Sequence, residues 1–582
     1  MATKTTVKRP VKSGSVAFTL RTLGVIERVG NRLPHPFWLF VILSGFLLAL
    51  SWGLHGLGVS AESPKDGATI AVRSLISDAG VTMMLDGLIE NYATFPPLGV
   101  VLVVMLGVSV ADQAGMLTAM LRAALAKVPA KAVTFMIALT GMVAHIASDA
   151  AFVVMIPLGA IAYRSVGRNP VLGAVVAFVS VSGGHAASPL VTPSDATLAA
   201  LTTAAAQTID SSYTVTPVAN YFFSLASSVV LALVITLVAE TLLTRRLAMM
   251  AADDAAKAAE AGTRAGTEAG TEAGSGAEAK AGAKAKAGTE AKSGTGSGTG
   301  SGTGSGTGSG TGSGTGSGTG SGTEELPDLS LTGDERRGLR AAALTTLALV
   351  AAIAVAALPA GSPLRGEHGA IIDSPLVHNI AVFLSLIFFA TGIAYGRAVG
   401  AVRTAKDVPE MMAAGLRELT PVLVLFFAIS QFLAYFKWTS IGEVMAISGA
   451  ELLDSSGVPI AVIFVGVILV VSVMNLLLTS GSAMWALIGP VFVPMLMLME
   501  VAPETTWALF RIADSCTNPI TPMSPYFALC LGFVRRYRPT AGIGTLMSLT
   551  LPVALSMLVV WTLLFLAWYF VGLPFGPGAP TR

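Results

Sequence analysis

Two clusters of polar residues, one in each half of the chain, could do chemistry. The later one runs from Ser480-Gly-Ser-Ala-Met-Trp485 through Pro490 to Arg511-Ile-Ala-Asp514 and Thr517-Asn-Pro-Ile-Thr-Pro522. The earlier one carries Ser148-Asp149 and Ser188-Pro-Leu-Val-Thr-Pro-Ser-Asp195. Arg511 can bind an anionic group through two parallel N–H donors. Asp149 and Asp195, if shielded from water, could carry a coupling proton. Trp485 offers a face to an aromatic ring or a cation. Helices broken near these residues leave N–H groups free to face a carboxylate and carbonyls free to hold a cation such as sodium.

Each residue also has a plain structural reading. Asp149 and Asp195 could cap the helix that follows them. Arg511 and Asp514 have the i,i+3 spacing of one helix face, so they could pair, with Asp514 orienting Arg511. Trp485 could be hairpin packing, and Asn475 could tie its own arm to the tip at Ser482 or touch a substrate. His145 and His185 are set aside, because a lone histidine among membrane helices is usually an interhelical hydrogen-bond donor.

The elements that must position these groups are membrane helices. The chain of 582 residues is 53% hydrophobic and 12% charged, with a mean hydropathy of +0.72. Soluble domains carry roughly twice that charge. Continuous apolar runs, rather than alternating ones, point to an all-α polytopic membrane protein instead of a β-barrel. Cys516 and Cys530 both fall in apolar surroundings and make no disulfide framework. No phosphate loop, metal-ligand cluster or nucleophile–base arrangement is evident. The sequence therefore supports neither an enzyme nor an ATP-driven pump, implies no cofactor, and gives no sign of nucleic-acid binding.

Residues 1–35 read as a basic cytoplasmic tail, and 36–95 as a first span and an outside loop. Residues 96–243 hold a span, a surface helix, a hairpin over 131–165, a broken span and a further span. Residues 244–337 are Ala/Glu/Lys-rich and then a Gly-Ser-Gly-Thr repeat, the composition of a flexible cytoplasmic linker. Two spans follow over 338–400. Residues 401–571 repeat the earlier order with a hairpin over 458–500, and 572–582 form a tail. Basic connections such as Arg245-Arg246 and Arg535-Arg536 prefer the inside. They place the N-terminus inside and the C-terminus outside, with about nine crossings and two re-entrant hairpins.

The halves match where they are broken. Ser148-Asp-Ala-Ala-Phe152 leads to Pro157 as Gly481-Ser-Ala-Met-Trp485 leads to Pro490, so Phe152 aligns with Trp485. Ser188-Pro-Leu-Val-Thr-Pro193 parallels Asn518-Pro-Ile-Thr-Pro522. Equivalent spans run in opposite directions, the inverted-topology repeat expected of a secondary transporter with a midplane site.

Several stretches resemble the AbgT family of p-aminobenzoyl-glutamate transporters. They are Ile26-Glu-Arg-Val-Gly-Asn-Arg-Leu-Pro-His-Pro36, Ala147-Ser-Asp-Ala-Ala-Phe-Val-Val-Met-Ile-Pro157, Val181-Ser-Gly-Gly184 and Pro490-Val-Phe-Val-Pro-Met-Leu-Met-Leu498. Arg511-Ile-Ala-Asp-Ser-Cys-Thr-Asn-Pro-Ile-Thr-Pro-Met523 and Gly572-Leu-Pro-Phe-Gly-Pro-Gly-Ala-Pro580 complete the set. The resemblance covers nearly everything except the linker. It implies a homodimer in the bacterial inner membrane that takes up p-aminobenzoyl-glutamate or exports sulfonamide-type antimetabolites, driven by the proton motive force. It also implies substrate contacts at Asn475, Ser482, Trp485, Pro503 and Arg511, and a coupling role for Asp195. Asp149 is the second candidate for ion coupling, and Asp514, Asn518 and Thr521 are expected to brace the site. The resulting expectation is a proton-coupled transporter of an aromatic carboxylate. A sodium-coupled carboxylate transporter of similar architecture and a non-transporting channel or scaffold are the other classes to test.

Overall fold

The computed structural model describes residues 35–62, 67–126, 128–147, 150–252, 330–359, 361–366, 374–478, 480–522 and 524–581. Asp149 and Ser148, most of the linker and the N-terminal tail lie outside them. The chain forms two units, residues 1–244 with 327–582, and residues 245–326. In the second unit residues 245–252 are helical; everything below concerns the first.

The first unit opens with α1 (Pro36–Gly56) and a two-stranded antiparallel ribbon, β1 (Ser60–Glu62) and β2 (Thr69–Ala71). Then come α2 (Asp78–Ala93), α3 (Pro96–Gln113) and α4 (Met116–Leu125). A first helix pair, α5 (Val133–Ala144) and α6 (Ala150–Ser165), precedes α7 (Pro170–Ala187), α8 (Pro193–Ala206) and α9 (Tyr221–Val238). Across the linker come α10 (Gly333–Ala357), α11 (Ile380–Val399), α12 (Asp407–Trp438) and α13 (Ile441–Ser455). A second helix pair, α14 (Ile460–Asn475) and α15 (Gly481–Met497), precedes α16 (Pro503–Thr517), α17 (Pro525–Tyr537) and α18 (Ile543–Val571).

Eight helices among the described residues are long and apolar enough to cross a membrane. The remaining expected crossing, about 504–533, is the couple α16–α17, split at Asn518–Thr521. The interval 59–95, read from the sequence as a loop, instead holds the ribbon and the sixteen-residue α2. Its start is set locally: Ser77 accepts from the Gly80 N–H, and Asp78 sits in the first turn, where the helix dipole favours an acid. Its charged residues hid it from a hydropathy reading.

In each half, both arms of the helix pair pack on the segment that opens the following broken helix, more than on each other. In the first half this is α5 and α6 on α7, at distances that only glycine allows. A Cβ on Gly159 would lie 2.5 Å from the Gly173 carbonyl oxygen, and one on Gly184 would lie 2.7 Å from Met142 Cα. Small residues at membrane-helix crossings let backbones meet in this way. In the second half α14 and α15 pack on α16. The second arm of each pair also reaches into the other half. Trp485 on α15 donates from Nε1 to Thr202 Oγ1 on α8 at 2.9 Å. Phe152 on α6 stacks on Tyr526 of α17, with ring centroids 4.1 Å apart.

Candidate functional site

The site is built around α16, because all fifteen of its residues are buried, including Glu504, Arg511 and Asp514. Its polar groups therefore depend on protein partners, and among the described residues Trp507 Nε1, Ser515 Oγ and both Asp514 carboxylate oxygens lack a hydrogen bond. Pro503 opens the helix at a position where a missing N–H costs nothing. At the other end the helix stops at Asn518-Pro519, which leaves carbonyls without a helical partner. Asn475 braces the end from the side: its Nδ2 lies 2.8 Å from Asp514 O, which also accepts from the Asn518 N–H, 2.7 Å from Thr517 Oγ1 and 3.1 Å from Asn518 Oδ1. Thr521 Oγ1 donates to Thr517 O at 2.9 Å. Asn475, Asn518 and Thr521 thus hold the break in shape.

Arg511 is 3% exposed, and its donors are engaged across the halves. Nη1 donates to Asp195 Oδ1 at 2.6 Å, and Nη2 to Ala186 O at 2.8 Å and Ser224 Oγ at 3.2 Å. Nε donates to Ala186 O at 3.1 Å, and the guanidinium lies 4.8 Å from the centre of the Trp507 ring. Asp195 also closes the N-terminus of α8. Its Oδ2 accepts from the Thr192 backbone N–H at 2.7 Å and from Thr192 Oγ1 at 2.8 Å, while Thr192 Oγ1 accepts from the Asp195 N–H. The capping reading of Asp195 and an ion pair with Arg511 are both present. The i,i+3 partner, Asp514, points elsewhere: its Oδ2 lies 3.3 Å from His185 Nε2.

A cavity of about 440 Å³ lies against this framework. The tip of the second helix pair enters it at Ser480, Gly481 and Ser482, and the ends of the first pair's arms enter at Ala147 and Ala150. Both breaks contribute as well, through Pro193 and Ser194 in one half and Asn518 in the other. Of the substrate residues expected from the sequence, Ser482 lines the cavity. Arg511, Trp485, Asn475 and Pro503 are not among its lining residues. Trp485 is 2% exposed and packs on Phe510 with ring centroids 4.6 Å apart.

Two sets of residues enter the site that the sequence reading left out. Asp112 and Gln113 of α3 and Glu418 of α12 line one end of the cavity, with Gln113 Nε2 donating to Glu418 Oε1 at 3.2 Å. His145 and His185 line it beside the tip. Their rings cross, with His185 Nδ1 2.7 Å from His145 Nε2. No helical periodicity marks this pair, since the residues sit on different elements forty positions apart. Among the described residues no group of three or more His, Cys, Asp or Glu side chains could hold a metal ion.

A cavity of mixed polar and apolar lining among apolar helices, framed by two broken helices and two helix-pair ends, is the architecture of a multi-span membrane transporter. The AbgT putative transporter family matches residues 21–277 and 316–582, and the chain belongs to it. It is 34% identical over 560 residues to the p-aminobenzoyl-glutamate transport protein of Escherichia coli (strain K12), covering 96% of both chains. The Alcanivorax borkumensis YdaH transporter superposes with a TM-score of 0.77 at 34% identity, over 94% of this chain and 100% of that one. Neisseria gonorrhoeae MtrF, from a class described as antimetabolite efflux pumps, superposes with a TM-score of 0.78 at 36% identity, over 96% and 100%. The chain is thus a transporter and not an enzyme.

Proposed function

We propose that this protein is a secondary active transporter of p-aminobenzoyl-glutamate and related aromatic carboxylates or antimetabolites, driven by the proton motive force. The observation that carries the reading is the cavity where both breaks and both helix-pair ends meet, in a chain that resembles a p-aminobenzoyl-glutamate transport protein along nearly its whole length. In this reading the buried Asp195–Arg511 pair is the coupling element. A proton on Asp195 removes the charge that holds Nη1, and a substrate carboxylate can then compete for Arg511. Ser482 and the free N–H groups of the α15 tip contact the substrate, and Trp485 fixes the tip against α8. The functional unit is a homodimer, to be checked by mass measurement of the purified protein.

The test is flux of p-aminobenzoyl-glutamate, and of a sulfonamide, into sealed vesicles holding the purified protein under imposed pH or sodium gradients. Saturable flux that follows the pH gradient is the expected result. Flux that follows sodium and ignores pH would favour a sodium-coupled carboxylate transporter. Unsaturable flux would indicate a channel. Transport by an Asp195→Asn protein with unchanged pH dependence would remove Asp195 from the coupling role.

A further inference from the structure

The charges lining the cavity do not suit an anion. Among its described lining residues there is no lysine or arginine, whereas Asp112 and Glu418 are acidic. Arg511 is not a lining residue, and its Nη1 is on Asp195. A carboxylate entering this space needs a cation, and the lining groups able to become one are His145 and His185.

These two side chains form a chain that ends on a carboxylate. Asp514 Oδ2 is 3.3 Å from His185 Nε2, and His185 Nδ1 is 2.7 Å from His145 Nε2. The proton positions follow from the partners. An ionised Asp514, 3.3 Å away but outside hydrogen-bond alignment, draws the His185 proton to Nε2 by charge alone. Its Nδ1 is then the acceptor, so His145 carries its proton on Nε2. That leaves Nδ1 of His145 as a lone pair. His145 is 4% exposed, and this nitrogen is buried without a hydrogen-bond partner among the described residues. Burial alone favours the neutral imidazole, so this open acceptor beside the cavity takes one more proton when an anion stands there to hold it. Gly481 keeps the α15 tip close to the chain, since a Cβ there would lie 3.2 Å from Asp514 Oδ2 and 3.3 Å from His185 Nε2.

We propose that His145 and His185 are a proton-binding pair that supplies the counter-charge for a substrate carboxylate in the cavity, so that substrate and proton bind together. The proposal rests on the carboxylate-transport reading above. It moves the proton that accompanies binding from Asp195 to this pair, positioned by Asp514, and leaves Asp195 as the standing partner of Arg511. The other titratable or charged groups around the pair are Arg511 on the same helix as Asp514, Asp195 behind it, Asp112 from α3, Glu418 from α12 and Tyr526 from α17. Asp149 lies outside the described residues.

The sign is fixed by the charge. The protonated pair binds the carboxylate, so affinity is highest at low pH and falls as pH rises through the pair's titration. The limiting slope is about tenfold per pH unit for one linked proton. The substrate's own carboxylates, with ordinary values near 4, stay ionised throughout. The experiment measures binding of p-aminobenzoyl-glutamate to the purified full chain between about pH 5.5 and 8.5, together with proton uptake in weak buffer.

The wild type is expected to follow that slope and to take up as much as one proton per substrate. His145→Gln and His185→Gln are expected to bind at the weak high-pH level of the wild type, with a flat profile. Variants that keep the wild-type slope, or a wild type that takes up no proton, would overturn the proposal. A slope that survives both histidine changes and vanishes in Asp195→Asn would overturn it too, while leaving the transport reading intact. No binding at any pH would sink the substrate reading, and this proposal with it. Should a glutamine variant not fold, wild-type protein with isotope-labelled histidine decides. Substrate added above neutral pH must convert an imidazole signal to imidazolium, and unchanged signals would refute the assignment.

Discussion

At the scale of single residues, Arg511 has the most to lose. Its guanidinium bridges Asp195, Ala186 O and Ser224, and the flat fork of donors is what lets one side chain reach all three. Arg511→Met would leave Asp195 buried and unpaired, and should lower stability by about 3–5 kcal/mol. Adding Asp195→Leu should restore part of that loss, and thermal unfolding of the single and double variants in detergent measures the coupling. Trp485→Phe keeps the contact with Phe510 and drops the Nε1–H bond to Thr202. It should cost about 1 kcal/mol, with Thr202→Ala adding little on top, because both remove the same bond. The chain's sequence made Arg511 conspicuous but pointed to Asp514 as its partner. Helical spacing sees neighbours on one helix face, and Asp195 lies 316 positions away on another element. The two histidines read from the sequence as lone donors and are set aside there, because nothing in it brings His145 to His185 across forty positions.

At the scale of elements, the breaks were legible and the distances were not. Proline, glycine and serine punctuation marked Ser188–Pro193 and Asn518–Pro522, and the helices stop there. The first helix pair could be read from hydropathy and its basic flanks, and the second only from its match to the first. How near the α15 tip comes to Asp514 is a matter of packing that only the folded chain displays. Gly481→Ala tests it. The added carbon would need the tip or its neighbours to yield by a few tenths of an ångström. Transport should fall on the order of tenfold, equivalent to about 1.4 kcal/mol, with little change in unfolding temperature. Gly466→Ala on α14, where a Cβ meets nothing within 4 Å, should leave transport as it was.

At the scale of the whole molecule, the burial pattern is that of a protein whose solvent is lipid. Helix α10 has 6% of its apolar window buried, while α7 has 89%. The outer helices present leucine and valine outward, with Leu344 and Leu347 each 67% exposed. Their exposure follows from the bilayer, which rewards apolar surface instead of excluding it. Leu347→Arg should cost about 2.5–3.5 kcal/mol of insertion and lower the yield of membrane-embedded protein. Leu347→Ala should have little effect. Composition revealed this class directly, because hydropathy is a sum over residues and needs no knowledge of contacts.

The glycine contacts between α5, α6 and α7 have a mechanical consequence. With no side chain between the backbones at Gly159 and Gly173, or at Gly184 and Met142, there is no lubricating layer along which these helices could slide. The first helix pair and α7 must then travel as one block whenever the cavity opens to the other side of the membrane. Spin labels at Met136 on α5 and Ile161 on α6 should keep a fixed separation through the transport cycle. Labels that straddle Phe152 and Tyr526 should not, because a flat ring stack is a surface that can part.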